Sequence, residues 1–177
     1  MAYRLFLVGF ASFLWFLLIA APPFAAENLL IVDVYARIVP AGQTEPMPDP
    51  FIQGIVNGAQ EVVPPGVQQL QSKAFQVKSG SGDFQAVVQG VEGQRVELSF
   101  TGTVLPNGNC AVTDFQVGAA AESSRGNVLP SNSSQTMSRG GFTVAPGQKI
   151  SQSVSVQSKS GQIVYFLIFS AAKGVVD

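Results

Sequence analysis

Apolar and polar residues alternate along most of the chain from residue 27 onward, a pattern typical of half-buried β-strands. The run 29–39 places these apolar residues on one face: Leu30, Val32, Val34, Ala36 and Ile38. Asp33 and Arg37 share the other face with Tyr35. The clearest run, 95–104, places these on one face: Val96, Leu98, Phe100, Gly102 and Val104. Both runs predict strands with one face against a core.

Further strands are predicted at 84–89, 110–117, 142–144, 150–156 and 162–172, separated by turn-forming sequences. Asn107-Gly108 predicts a tight hairpin turn, because both residue types tolerate positive φ. Residues 163–169 are apolar at every position. We therefore expect a central strand there, covered on both faces by a second sheet or by a helix.

One segment, near residues 50–62, has the spacing of a helix. Asp49 can cap it, Pro50 suits its first position, and Pro64-Pro65 prevents its continuation. Residues 67–77 fit a helix or a strand equally well. The predicted fold class is mainly β, an antiparallel β-sandwich or two-layer sheet with this one short helix, and α+β is the alternative.

The first 26 residues have the layout of a secretory signal peptide. Arg4 precedes an uncharged apolar stretch, residues 5–21, and Pro22-Pro23 follows. Cleavage after Ala26 is expected, and an uncleaved anchor is the alternative. Residues 27–177 then form a single exported β-rich domain with a proline-rich connector at 40–50 and an exposed Ser/Gly loop at 118–141.

Composition excludes several chemistries. The chain has no histidine and one cysteine, so it has no Ser-His-Asp triad, His-ligated zinc site or internal disulfide. Its net charge of −1 argues against nucleic-acid binding. A two-carboxylate glycosidase is formally possible, but the acids that could form the pair are interpreted as surface acids: Asp33, Glu61, Asp83, Glu92, Glu97, Asp114 and Glu122. We expect no enzyme activity, no cofactor and no metal.

The candidate interaction residues lie at the hairpin tip and in the Ser/Gly loop: Asn107, Gly108, Cys110, Arg125 and Asn127. Cys110 is interpreted as a buried small residue, with an intermolecular disulfide as the alternative. Tyr35 and Tyr165 are expected at the edge of the core with their hydroxyls at the surface. Asn132-Ser133-Ser134 matches a glycosylation acceptor.

Two stretches, VEGQRVELSFTGTVLPNGNCAVTDFQV and GGFTVAPGQKISQSVSVQSKSGQIVYFLIFSA, flank the Ser-rich loop. Their order resembles the β-domain of secretins, the outer-membrane channels of type II and III secretion systems. The chain departs from that family in lacking its paired glycines after the final hairpin strand and its repeated N-domains. The resemblance implies assembly in preference to catalysis, and it transfers no pore residues.

Together these features predict a non-enzymatic exported structural, assembly or protein-binding component of a bacterial envelope or cell surface. The expected location is the periplasm, the cell surface or the extracellular space. The expected partners are other envelope or secreted proteins or further copies of the chain, with the membrane reached only through residues 5–21 if they stay attached. A small-ligand or glycan-binding extracytoplasmic β module is the alternative.

Overall fold

The computed structural model describes residues 27–43, 49–59, 62–121, 135–158 and 161–173. Within them, two antiparallel sheets pack face to face and one short helix lies outside the pair. The fold is therefore the predicted β-sandwich. The predicted signal peptide, Glu61, Glu122, Arg125, Asn127 and the Asn132 triplet lie outside the described residues.

The first sheet, called here the covered sheet, has the strand order β2-β1-β9-β8. Its strands are β1 (Asn28–Pro40), β2 (Val67–Val77), β8 (Lys149–Gln157) and β9 (Gly161–Lys173). The second, called the open sheet, has the order β3-β4-β5-β6, with β7 also paired to β5. Its strands are β3 (Gly82–Gln89), β4 (Gln94–Val104), β5 (Cys110–Ala121), β6 (Gln135–Arg139) and β7 (Phe142–Val144).

β9 is the central strand that its apolar sequence predicts. It lies between β1 and β8, and seven consecutive side chains, residues 163–169, are buried. Ile163, Tyr165, Leu167 and Phe169 face the core between the sheets. The alternate residues, Val164, Phe166 and Ile168, pack in a second cluster beneath the helix. Both covers considered from the sequence are therefore used, one on each face.

The helix, α1 (Pro50–Val56), begins as predicted and ends earlier than residue 62. Asp49 caps it: its Oδ1 accepts hydrogen bonds from the backbone N–H of Phe51 at 2.9 Å and of Ile52 at 3.2 Å. Asn57 is the C-cap and Gly58 follows at a φ of 83°, which ends the helix before Pro64 is reached. Phe51 and Ile52 are buried against the outer face of the covered sheet.

The sequence of residues 67–77 fits a helix or a strand equally well, and in the structure these residues form the edge strand β2. The β1–β2 register shifts between Val34 and Tyr35, which leaves Leu70 as an extra residue in β2. The extra residue inverts the alternation of side chains, so that residues on either side of the bulge that would share a face in a regular strand lie on opposite faces. Val77 accordingly joins the core between the sheets while Val67 joins the cluster beneath α1.

The predicted loop at 118–141 is shorter in the structure at both ends. β5 continues to Ala121, and β6 and β7 begin at Gln135 and Phe142. The small residues Gly118 and Ala119 pair with Glu97 and Val96 of β4, and Ala119 is buried in the core between the sheets. Residues 122–134 lie outside the described residues.

Candidate functional site

The outermost strands of the two sheets are where this fold presents unpaired backbone groups. In the covered sheet these strands are β2 and β8, and in the open sheet they are β3 on one side and β6 with β7 on the other. An outer strand invites pairing by another chain unless a charge, bulge, proline, helix or short length prevents it.

Three of these sides are obstructed in the described part of the chain. β2 carries the Leu70 bulge, and its Lys73 lies opposite the core residue Val32 and so on the inner face. β8 lies against the helix α1. β6 and β7 are five and three residues long, and Gly140-Gly141 separates them.

β3 carries no bulge; its one charged residue, Asp83, lies near an end of the strand, and β3 contacts the covered sheet through β2. It is eight residues long, pairs with β4 in unbroken register from Gly82 to Gln89, and contains no proline. Its inward side chains are uncharged: Phe84, Ala86 and Val88 contact the core. Phe84 and Ala86 remain only partly buried, and Val87, on the outer face, is 43% exposed. The β3 edge is therefore the candidate site of this structure.

The backbone groups that β3 leaves unpaired can be identified from its hairpin with β4. The N–H of Gly90 donates to the carbonyl of Gln94 at 2.8 Å, so this pair hydrogen-bonds across the hairpin. Hydrogen-bonded and non-hydrogen-bonded pairs alternate along an antiparallel ladder. The even-numbered residues of β3 therefore bond to β4. The backbone N–H and C=O groups of Asp83, Gln85, Val87 and Gln89 point away from the sheet.

A shallow groove of about 320 Å³ lies on the outer face of the open sheet beside this edge. Its outward-facing lining is polar apart from Val87 and comes from three strands: Gln85, Val87, Glu97, Ser99, Gln116 and Gly118. Gly118 has no side chain, which deepens the groove at β5. Asp114 in the same strand has a φ of 51°, at a register shift between β4 and β5.

A buried tyrosine fixes the turn that ends β3. The hydroxyl of Tyr165 donates to Oε1 of Gln94 at 2.7 Å and accepts from the N–H of Val91 at 3.3 Å. A Cβ at Gly90 would lie 2.5 Å from this hydroxyl oxygen, so the close approach requires glycine. The prediction that the Tyr165 hydroxyl lies at the surface is therefore wrong. The hydroxyl is buried because it has partners in the β3–β4 turn.

The ion pair between Arg37 and Asp49 was not found from the sequence. Asp49 is 2% exposed, and its Oδ2 lies 2.5 Å from Nη1 of Arg37 on β1. The same carboxylate thus caps α1 and joins it to the covered sheet. Asp49 was recognisable as a cap, but nothing in the spacing of residues 37 and 49 indicated that they meet.

The structure places three of the sequence-predicted interaction residues together at the β4–β5 hairpin. Asn107 is exposed, and its side chain accepts from the N–H of Asn109 at 3.1 Å. Gly108 adopts a φ of 81°, as the turn requires, and its carbonyl accepts from the buried Asn28 side chain at 2.6 Å. Cys110 is a free thiol with no exposed surface, and burial raises its pKa. Their role in binding stays a prediction.

The described acids other than Asp49 lie at or near the surface. Asp83 is exposed and accepts from the Thr101 hydroxyl at 2.7 Å. Asp33 accepts from the Ser72 hydroxyl at 2.5 Å. The described residues contain no group of three or more Cys, Asp or Glu side chains placed to hold a metal ion. They also contain no helix of the length and apolar character needed to cross a membrane.

No protein-family model matches the chain, and no curated protein matches it. Among solved structures it is similar to the secretin InvG of the Salmonella SPI-1 type III secretion injectisome, with a TM-score of 0.29 and 10% identity over 86% of this chain. A second structure, of the injectisome basal body proteins InvG, PrgH and PrgK, gives the same values. The chain spans 65% and 46% of the length of the two matched chains. A TM-score this low carries no argument about function, and the chain is assigned to no family.

Proposed function

We propose that the chain is a non-enzymatic exported assembly component of a bacterial envelope or cell surface, which binds a partner by adding a strand at the β3 edge. The observation that carries the proposal is that one side of β3 has no hydrogen-bonded strand beside it among the described residues. β3 is regular and uncharged on its inner face, and among the described strands it pairs only with β4.

Strand addition gives affinity through main-chain hydrogen bonds and specificity through alternate side chains. At the β3 edge the main-chain groups come from Asp83, Gln85, Val87 and Gln89. The side chains of Phe84 and Ala86 offer partly buried apolar surface, and the exposed Val87 offers more on the other face. A partner strand with small or medium apolar side chains at alternate positions could form these main-chain hydrogen bonds and cover this apolar surface.

Export and the absence of catalysis are parts of the same proposal. Residues 1–26 supply the export signal in the sequence, and the chain contains no histidine to act as a base near neutral pH. The expected partners are therefore other envelope or secreted proteins, or further copies of the chain.

The test is site-specific photocrosslinking in the producing cell. A photoreactive residue replaces Gln85 at the β3 edge, and a matched variant carries it at Gln53 on α1, away from the open sheet. We expect a protein adduct from position 85 that position 53 does not give, and that Val87→Pro abolishes. The same adducts from both positions, or none from position 85, would overturn the proposal.

The groove on the open sheet favours a second candidate, a small polar ligand such as a glycan. Side-chain amides, a hydroxyl and a carboxylate from Gln85, Ser99, Gln116 and Glu97 could donate to and accept from sugar hydroxyls. Binding of an oligosaccharide that Gln116→Ala abolishes and Gln53→Ala leaves unchanged would support this candidate. No binding of any member of a glycan array would remove it.

A further inference from the structure

We infer that the strand added at the β3 edge is β3 of a second copy of this chain, so that two open sheets join into one continuous sheet across a two-fold axis at Ala86. This inference rests on the proposed function, because it names the occupant of the same edge. It is carried by the self-complementarity of β3.

The pairing has a defined register. Directly opposite residues of an antiparallel pair lie on the same face, so two inward faces meet only if even-numbered residues oppose even-numbered ones. With the axis at Ala86, Phe84 faces Val88 of the second copy and Gln85 faces Val87 of the second copy. Apolar inward side chains then meet each other along the whole junction.

The same register gives the unpaired backbone N–H and C=O groups of β3 hydrogen-bond partners. The N–H and C=O groups of the odd-numbered residues point to the free edge, as the Gly90–Gln94 hydrogen bond establishes. In the dimer Gln85 bonds to Val87 of the second copy, and Asp83 bonds to Gln89 of the second copy. Moving the axis by one residue, to Gln85 or Val87, keeps the faces matched but leaves end residues of β3 without an opposite strand residue.

Charge does not oppose the pairing. Asp83 is the charged residue of β3, and in this register it faces the neutral Gln89. The two Asp83 residues of the dimer are offset by six residues along the strand, roughly 20 Å. That distance exceeds the screening length of about 8 Å at physiological ionic strength.

The pairing also covers surface that the single chain leaves exposed. Phe84 and Ala86 face inward yet are only partly buried, although the rings of Phe75 and Phe100 contact Phe84. A neighbouring strand on the free side supplies the lateral contact that an edge residue lacks. Val87, which is 43% exposed, gains Gln85 of the second copy as its cross-strand neighbour.

The first test compares the solution mass of the chain, expressed from its complete sequence, with that of two variants. Val87→Pro removes an N–H that points to the free edge, so it should leave the β3–β4 ladder intact and block the dimer. Val87→Thr keeps this N–H and is the matched control. We expect a concentration-dependent dimer, kept in Val87→Thr, with a dissociation constant at least ~tenfold higher in Val87→Pro.

The second test reads the register directly and does not depend on the proline variant folding. In the dimer the two Ala86 residues form a non-hydrogen-bonded pair with Cα atoms about 4.5 Å apart, within disulfide range. Ala86→Cys should therefore crosslink two copies under mild oxidation. Gln89→Cys, which faces Asp83 of the second copy, should crosslink far more slowly.

Two results would overturn the inference: a chain that stays monomeric at every concentration, or a dimer in which Gln89→Cys crosslinks as fast as Ala86→Cys. A monomeric chain whose photocrosslinked adduct with a different protein still disappears in Val87→Pro would overturn the self-pairing and leave the proposed function standing. If the chain is monomeric and Val87→Pro does not abolish the adduct, both the self-pairing and the proposed function are overturned.

Discussion

The hydroxyl of Tyr165, on the central strand of the covered sheet, donates to the side chain of Gln94 at the start of β4, across the interior of the sandwich. Gln94 is 5% exposed, so its amide has little access to water. The bond joins the most buried strand to the turn that ends β3. The position of the candidate edge is thereby tied to the core.

Tyr165→Phe should lower the free energy of unfolding by about 1–3 kcal/mol, because it leaves the buried Gln94 oxygen without its donor. Urea denaturation of both proteins measures the difference. Tyr35→Phe is the matched control, since Tyr35 packs edge-on against Phe51 in the other cluster, away from Gln94. An unchanged midpoint in Tyr165→Phe would show that water replaces the hydroxyl at no cost.

The same tyrosine predicts an alkaline loss of stability. Burial raises the pKa of Tyr165 to about 12 from an ordinary value of 10.0. The folded state then holds this proton more tightly than the unfolded state does, so the contribution is complete below pH 10 and is lost as pH rises toward 12. The stability difference between the wild type and Tyr165→Phe should be constant from pH 7 to about 9.5 and decline above that. Denaturation series at each pH measure it, and a difference that grows with pH would contradict the assignment.

Removing one partner of the Arg37–Asp49 pair should destabilise the helix more than the rest of the fold. Arg37→Gln leaves a carboxylate at 2% exposure without its cation, and we expect a loss of about 1–3 kcal/mol. Hydrogen exchange should show faster exchange at α1 than at β4. Lys78→Gln, which removes a cation paired with Glu27 at the surface, is the control and should change little. Equal effects in the two variants would contradict the role of the buried pair.

Cys110 should behave as a core residue. With no exposed surface and a raised pKa, its thiol should resist a thiol-specific reagent in the folded protein and react on unfolding. Cys110→Ser should lower the free energy of unfolding by about 1–3 kcal/mol by burying a hydroxyl. A chain that runs as a disulfide-linked dimer without reductant would instead support the intermolecular bond considered from the sequence.

The β-sandwich, the central strand and the start of the helix could be predicted from the sequence, because each depends on local alternation or on a cap such as Asp49-Pro50. The sequence does not decide between helix and strand for residues 67–77, because the bulge at Leu70 breaks the alternation on which strand prediction depends. Alternation also reports which face of a strand is buried, and not which strands lie beside it. For this reason β3 was predicted as a strand while its position at an open edge was not. The Arg37–Asp49 and Tyr165–Gln94 contacts join distant segments, and no local pattern encodes them.

The order of β1 and β9 in the covered sheet has a consequence for how the chain folds. Asn28 pairs with Lys173, so the first and last described strands are neighbours. Contacts between such distant residues form slowly, because the long intervening loop must be closed first. A chain that crosses a membrane with its amino end leading would therefore keep its core unfinished until β9 had also crossed. In such a chain, completion of the sandwich would require β9 to have crossed.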